Sequence, residues 1–204
     1  MNRLFAVGLT LVGLCLGGAA LAAGNPEAGQ QKAAPCAACH GLDGNSTNGQ
    51  WPKLAGQHPE YIVSQLKAFK EGKRQNPLMA PMAMGLSEED MADLAAYFSK
   101  QRPQIGGANP ALAEAGGQLY RGGNKVSGVS ACMACHGPTG AGNGPAGYPQ
   151  LSGQHAEYVR LQLEAYRRGE RGNGTPSGQI MQSIAKRMSN PEIDAVSSYI
   201  DGLH

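Results

Sequence analysis

The chain has 204 residues, with 17 lysine and arginine against 15 aspartate and glutamate, for a formal net charge of +2. A balance so close to neutral excludes a protein held by bulk positive charge to nucleic acid or to an anionic membrane surface. With 30 glycines but only three phenylalanines and one tryptophan, it also excludes a large aromatic core, so small helical domains would be thin inside and need something further to hold them.

In chain order the first element is Met1-Asn2-Arg3 followed by an uncharged apolar run from Leu4 to about Leu21 that closes on Ala20-Leu21-Ala22. A basic start, a short apolar stretch and a small-residue end read as a secretory signal peptide, residues 1–22, cleaved after Ala22 rather than kept as an anchor. Cys15 lies inside it behind Leu14, where a lipid-attachment site needs a small residue, and leaves with the signal. Next come Cys36-Ala-Ala-Cys39-His40-Gly41, a glycine-rich loop over residues 41–50, and Trp51-Pro52-Lys53-Leu54. Residues 61–69 repeat apolar side chains three and four apart, which predicts a helix. Ser87-Glu-Glu-Asp90 puts a hydroxyl N-cap before the acidic first turn of another. Residues 101–110 have the proline, glycine and polar content of a linker.

The remainder repeats this order. Leu54-Ala-Gly-Gln-His-Pro-Glu-Tyr61 lies over Leu151-Ser-Gly-Gln-His-Ala-Glu-Tyr158, Cys36-Ala-Ala-Cys39-His40-Gly41 over Cys132-Met-Ala-Cys135-His136-Gly137, and residues 87–98 over 189–200. Ser189-Asn-Pro-Glu192 is a full capping box, with Pro191 in a first turn where no amide proton is needed. No stretch alternates like a strand, so the expected fold is all-α: two tandem domains, 23–105 and 106–204, with the boundary near Gly106.

In Cys-x-x-Cys-His two thiols one helical turn apart can each form a thioether to a haem vinyl group, while the adjacent imidazole comes under the iron. Disulfides are ordinary in exported proteins and zinc wants four ligands, but neither requires a histidine directly after both pairs. A thioredoxin-like site needs a strand-helix-strand setting that is absent here. Cys36, Cys39, Cys132 and Cys135 are therefore expected to attach two c-type haems, with His40 and His136 as axial ligands. Eight residues before Ser87 stands Met79, and eight before Ser189 stands Met181; Met82, Met84 and Met188 align instead with Ile184, Lys186 and Leu86. A ligand recurs at equivalent positions while a core methionine exchanges with Leu or Ile, so Met79 and Met181 are the expected sixth ligands, with Met82 the competitor to Met79. Met91 and Met188 read as core. His58 and His155 open helices and read as polar or interface residues rather than ligands, and His204 has no role. The carbonyls of Pro52 and Pro149, 12 and 13 residues after the histidines, are candidates to accept the second ring proton; the alternative is that each proline merely ends a loop. The Arg167, Arg168 and Arg171 group reads as a solvated helix end.

These motifs, with the Pro-x-Leu-x-Gly-Gln blocks and the closing Ala-Ala-Tyr97-Phe98 and Ser-Ser-Tyr199-Ile200 helices, resemble the cytochrome c4 family, dihaem proteins of two class I cytochrome c domains. The resemblance spans the mature chain. It implies His and Met ligation at both irons, proline carbonyls behind the proximal imidazoles, and haems facing each other across the domain interface. It also implies a periplasmic location, often with peripheral membrane association, and electron delivery toward a haem-copper terminal oxidase. The donor would be a cytochrome or a quinol-oxidising complex. One departure is charge, since 23–105 carry eight basic and eight acidic residues and 106–204 eight and seven. An iron closed by imidazole and thioether has no substrate position and changes oxidation state with little rearrangement, which suits a carrier rather than an enzyme. The alternatives are a dihaem peroxidase-like enzyme and an electron-transfer subunit of a larger membrane complex.

Overall fold

Each half opens with a helix capped by asparagine and started by proline. In α1 (Pro26–Lys32) the Asn25 Oδ1 accepts from the amides of Glu27 and Ala28 at 2.9 and 3.1 Å. In α6 (Pro110–Gly122) Asn109 Oδ1 accepts from Ala111 N at 3.0 Å. The computed structural model describes residues 24–204, so the signal segment 1–22, with Cys15 and the cleavage point at Ala22, lies outside the described residues. The remaining helices of the first half are α2 (Ala34–His40), α3 (Pro59–Lys70), α4 (Met79–Met84) and α5 (Glu88–Ser99). Those of the second half are α7 (Met133–His136), α8 (Ala156–Arg167), α9 (Pro176–Ala185) and α10 (Asn190–Asp201). Among the described residues there is no strand, only isolated bridges between Asn124 and Val129 and between Asn143 and Tyr148.

The closing helices α5 and α10 carry the packing of their halves: α1 and α3 lie against α5, and α6 and α8 against α10. Both start in full capping boxes, where only the second was expected to be complete. Asp90, one methylene shorter than Glu192, still reaches the Ser87 amide at 2.9 Å. The apolar clusters are small, as the composition requires. One gathers Ile62, Leu94 and Phe98, and the other Leu163, Met188, Ile193 and Ile200. Met91 and Met188 are buried in their halves.

The halves meet in a reciprocal interface related by the repeat. His58 Nε2 lies 2.8 Å from Ala141 O, and His155 Nε2 lies 2.8 Å from Ser46 O, so both histidines bridge the domains. Arg74 donates to Tyr158 Oη and Gln162 Oε1 at 2.9 and 3.0 Å, and Arg171 to Tyr61 Oη at 2.6 Å. The expectation that Arg171 belongs to a solvated helix end is wrong: it is 6 % exposed and spans the interface, whereas Arg168 is exposed. A run of arginines ordinarily means solvent, but Gly72-Lys73-Arg74 lies over Gly169-Glu170-Arg171 in the repeat, and that match was the signal of a shared structural role.

Candidate haem sites

In each half the thiols and the imidazole come from one turn of helix. Cys36, Cys39 and His40 lie in α2, while Cys132 caps α7, which carries Cys135 and His136. The turn stops at Gly41 and Gly137, whose φ values of 80° and 78° are open to glycine and unfavourable for other residues. The chain therefore leaves directly after each histidine. Tyrosines hold that exit: Tyr97 Oη donates to Leu42 O and Tyr120 Oη to Gly137 O, both at 2.7 Å. Neither tyrosine has an obvious role in the sequence, because Tyr97 and Tyr120 do not stand at corresponding positions of the two halves.

Both histidines are buried, and Nδ1 of each lies 2.9 Å from a proline carbonyl, Pro52 for His40 and Pro149 for His136. A carbonyl only accepts, so Nδ1 carries the ring proton and Nε2 keeps the lone pair. Burial pushes both imidazoles below the ordinary histidine value, partly opposed by the proline carbonyl. The neutral ring is the form that binds a metal.

No disulfide joins the four thiols of the two motifs, and all four are half-buried. Cys36 packs against the first apolar cluster and Cys132 against the second. Burial pushes the Cys36 thiol up, helped by Cys39, and pushes Cys132 up to about 11. A neutral thiol suits these apolar walls, as would the neutral thioether through which each would hold a haem. Among the described residues no group of three or more His, Cys, Asp or Glu side chains is arranged to hold a bare metal ion. The donor set fits a covalent haem in each half.

Met79 opens α4 and Met181 lies within α9; both are half-buried, and Met181 packs with Cys132 against the second cluster. Met82 and Met84 are 42 % and 60 % exposed. Sequence reasoning missed Gln57 and Gln154, which are buried where the two halves meet. Their signal was present in the repeated Gly-Gln-His blocks.

The cytochrome c family profile matches residues 26–101 and again 106–204. The chain is 49 % identical to cytochrome c4 of Azotobacter vinelandii and 48 % identical to that of Pseudomonas aeruginosa, each match covering 100 % of both chains. The crystal structure of reduced recombinant cytochrome c4 from Pseudomonas stutzeri superposes with a TM-score of 0.85 at 47 % identity, covering 89 % of this chain and 100 % of that one. Duplicated helical fold, paired attachment motifs and full-length likeness agree: the chain belongs to the cytochrome c4 family, electron-transfer proteins with two covalently bound c-type haems.

Proposed function

We propose that the chain is a periplasmic electron carrier, not an enzyme, taking electrons from a cytochrome or quinol-oxidising complex and passing them toward a haem-copper terminal oxidase. In this reading His40 and Met79 are the axial ligands of the first domain, and His136 and Met181 those of the second. The observation that carries it is the matched pair of imidazoles, each with Nδ1 on a proline carbonyl at 2.9 Å and Nε2 free to bind metal beside two thiols of the same turn. The bound haem supplies a one-electron couple. The protein's part is to fix each imidazole, to offer a soft thioether that favours the ferrous state, and to enclose the site in apolar side chains. Half-burial of Met79 against the exposure of Met82 and Met84 supports the assignment made from the repeat. The domains are proposed as 23–105 and 106–204, and the charge near neutrality leaves partner choice to local surfaces.

The reading is tested by carbon monoxide binding to the reduced dihaem protein. The wild type is expected to bind none at either iron. Met79→Ala and Met181→Ala are each expected to open one iron to carbon monoxide, while Met82→Ala stays closed. Binding by the wild type would turn the assignment toward a peroxidase-like enzyme, and opening by Met82→Ala alone would move the first ligand to Met82.

A further inference from the structure

The buried side chains of Gln57 and Gln154 each clamp one residue of the opposite domain. Gln154 Oε1 accepts from Lys53 N and its Nε2 donates to Lys53 O, both at 2.9 Å. Gln57 Oε1 accepts from Gln150 N at 2.9 Å and its Nε2 donates to Gln150 O at 3.0 Å. Each clamp is itself fixed, because Gln57 Oε1 also accepts from His58 N at 3.0 Å and Gln154 Oε1 from His155 N at 3.1 Å. The Lys53 amine donates to Gly153 O at 2.7 Å, tying down the chain that carries Gln154.

The clamped residues directly follow the two prolines that face the histidines. Pro52 C=O and Lys53 N–H are the two ends of one planar peptide unit. His40 Nδ1 binds its oxygen and Gln154 binds its N–H. The Pro149–Gln150 peptide is held in the same way by His136 at the oxygen and Gln57 at the N–H. A hydrogen bond accepted from a peptide N–H polarises that peptide and strengthens its carbonyl as an acceptor. A stronger acceptor behind the imidazole makes the ring a more basic ligand, which favours the ferric state.

We propose that Gln57 and Gln154 are positioning residues acting crosswise: each tunes, through the peptide that it clamps, the proximal histidine and hence the reduction potential of the haem in the other domain. The proposal rests on the reading of His40 and His136 as iron ligands. It gives the interface a role in the redox chemistry besides holding the domains together.

The test is an NMR-followed redox titration of the dihaem protein, with each haem assigned to its domain. Gln154→Met is expected to raise the potential of the first-domain haem and leave the second unmoved. Gln57→Met is expected to do the converse. Exchange of the His Nδ1 proton should accelerate in the same crossed pattern, by up to about twofold, because the clamp strengthens the Nδ1–H bond without making it. His155→Ala breaks a different cross-domain contact, to Ser46, and should leave the first-domain potential unchanged. A shift in the haem of the mutated residue's own domain, no shift in either, or an equal shift in His155→Ala would overturn the crosswise role. Imidazole signals of His40 and His136 shifted by ferric iron in the wild type separate the two levels. If they are present and the crossing fails, the ligand reading stands alone; if they are absent, both readings fall.

Discussion

Asp93 sits almost enclosed, its side chain 5 % exposed, and receives the Lys32 amine at 2.6 Å and the Asn25 amide at 2.7 Å. The Lys32 hydrogen bond, then the Asn25 amide, hold its carboxyl below the ordinary aspartate value. Lys32 is raised in turn by Asp90 and Asp93. The signs follow from linkage. A carboxyl whose folded value is depressed stabilises the fold above its unfolded value, near about 3.9, and loses that contribution as pH falls through the folded value. A raised lysine contributes below its unfolded value, near about 10.4, and loses that contribution as pH rises through its folded value. The anchoring of α1 on α5 is therefore strongest across neutral pH and fails first in acid. The equivalent position in the second half is Ala195, so this acid-sensitive contact belongs to the first domain alone. Asp93→Asn should lower the urea midpoint at pH 7, and its gap from the wild type should narrow at pH 3. A variant that stays equally less stable at both pH values would show that packing, not charge, is what Asp93 supplies.

At the scale of elements, glycine decides how close two helices come. A β-carbon at Gly29 would stand 2.0 Å from Asp93 O, and one at Gly116 would stand 2.2 Å from Ala195 O, so α1 and α6 lie with backbone almost on backbone against α5 and α10. Ala substitution at either forces the helices apart and should cost about 1–3 kcal/mol, the usual range for overpacking. Gly122, in the last turn of the same α6, has nothing within 4 Å of its would-be β-carbon. There Ala should be neutral or stabilising by up to about 1 kcal/mol, from reduced unfolded-state entropy. Denaturation midpoints of the three variants check this, and a loss at Gly122 comparable to that at Gly116 would show that close backbone contact is not what makes Gly116 intolerant of a side chain. The same glycines explain what was legible. Helices α5 and α10 announce themselves through serine caps and acidic first turns, and α3 and α8 through apolar spacing. Helices α1 and α6 were illegible because glycine removes the apolar stripe that periodicity needs. The haem motifs were legible because their chemistry is confined to five consecutive residues.

At the scale of the whole molecule, repetition made the two domains legible but not their contact, since a residue that meets its own counterpart's neighbours leaves no local pattern. Arg74 and Arg171 are the case in point. Both guanidinium groups reach the same two oxygens: Gln65 Oε1, at 2.7 Å from Arg74 and 3.3 Å from Arg171, and Gln162 Oε1, at 3.0 and 2.8 Å. Two cations sharing an acceptor have donor nitrogens within about 6 Å, where an effective dielectric near 20 gives about 3 kcal/mol of repulsion. Burial pushes the Tyr61 phenol up to about 12, so at neutral pH it accepts a hydrogen bond without cancelling charge. Each arginine makes charge-assisted bonds worth about 1.5–3 kcal/mol apiece, set against repulsion from the other. Removing one therefore relieves the repulsion as it breaks the bonds, and the arginine left behind keeps both glutamine oxygens. Removing the second relieves nothing. In a double-mutant cycle of Arg74→Met and Arg171→Met followed by urea unfolding, the double variant should lose more stability than the two single losses together. A double loss smaller than that sum would mean that the arginines cooperate through the shared glutamines, and one equal to it would mean that no net repulsion acts between them.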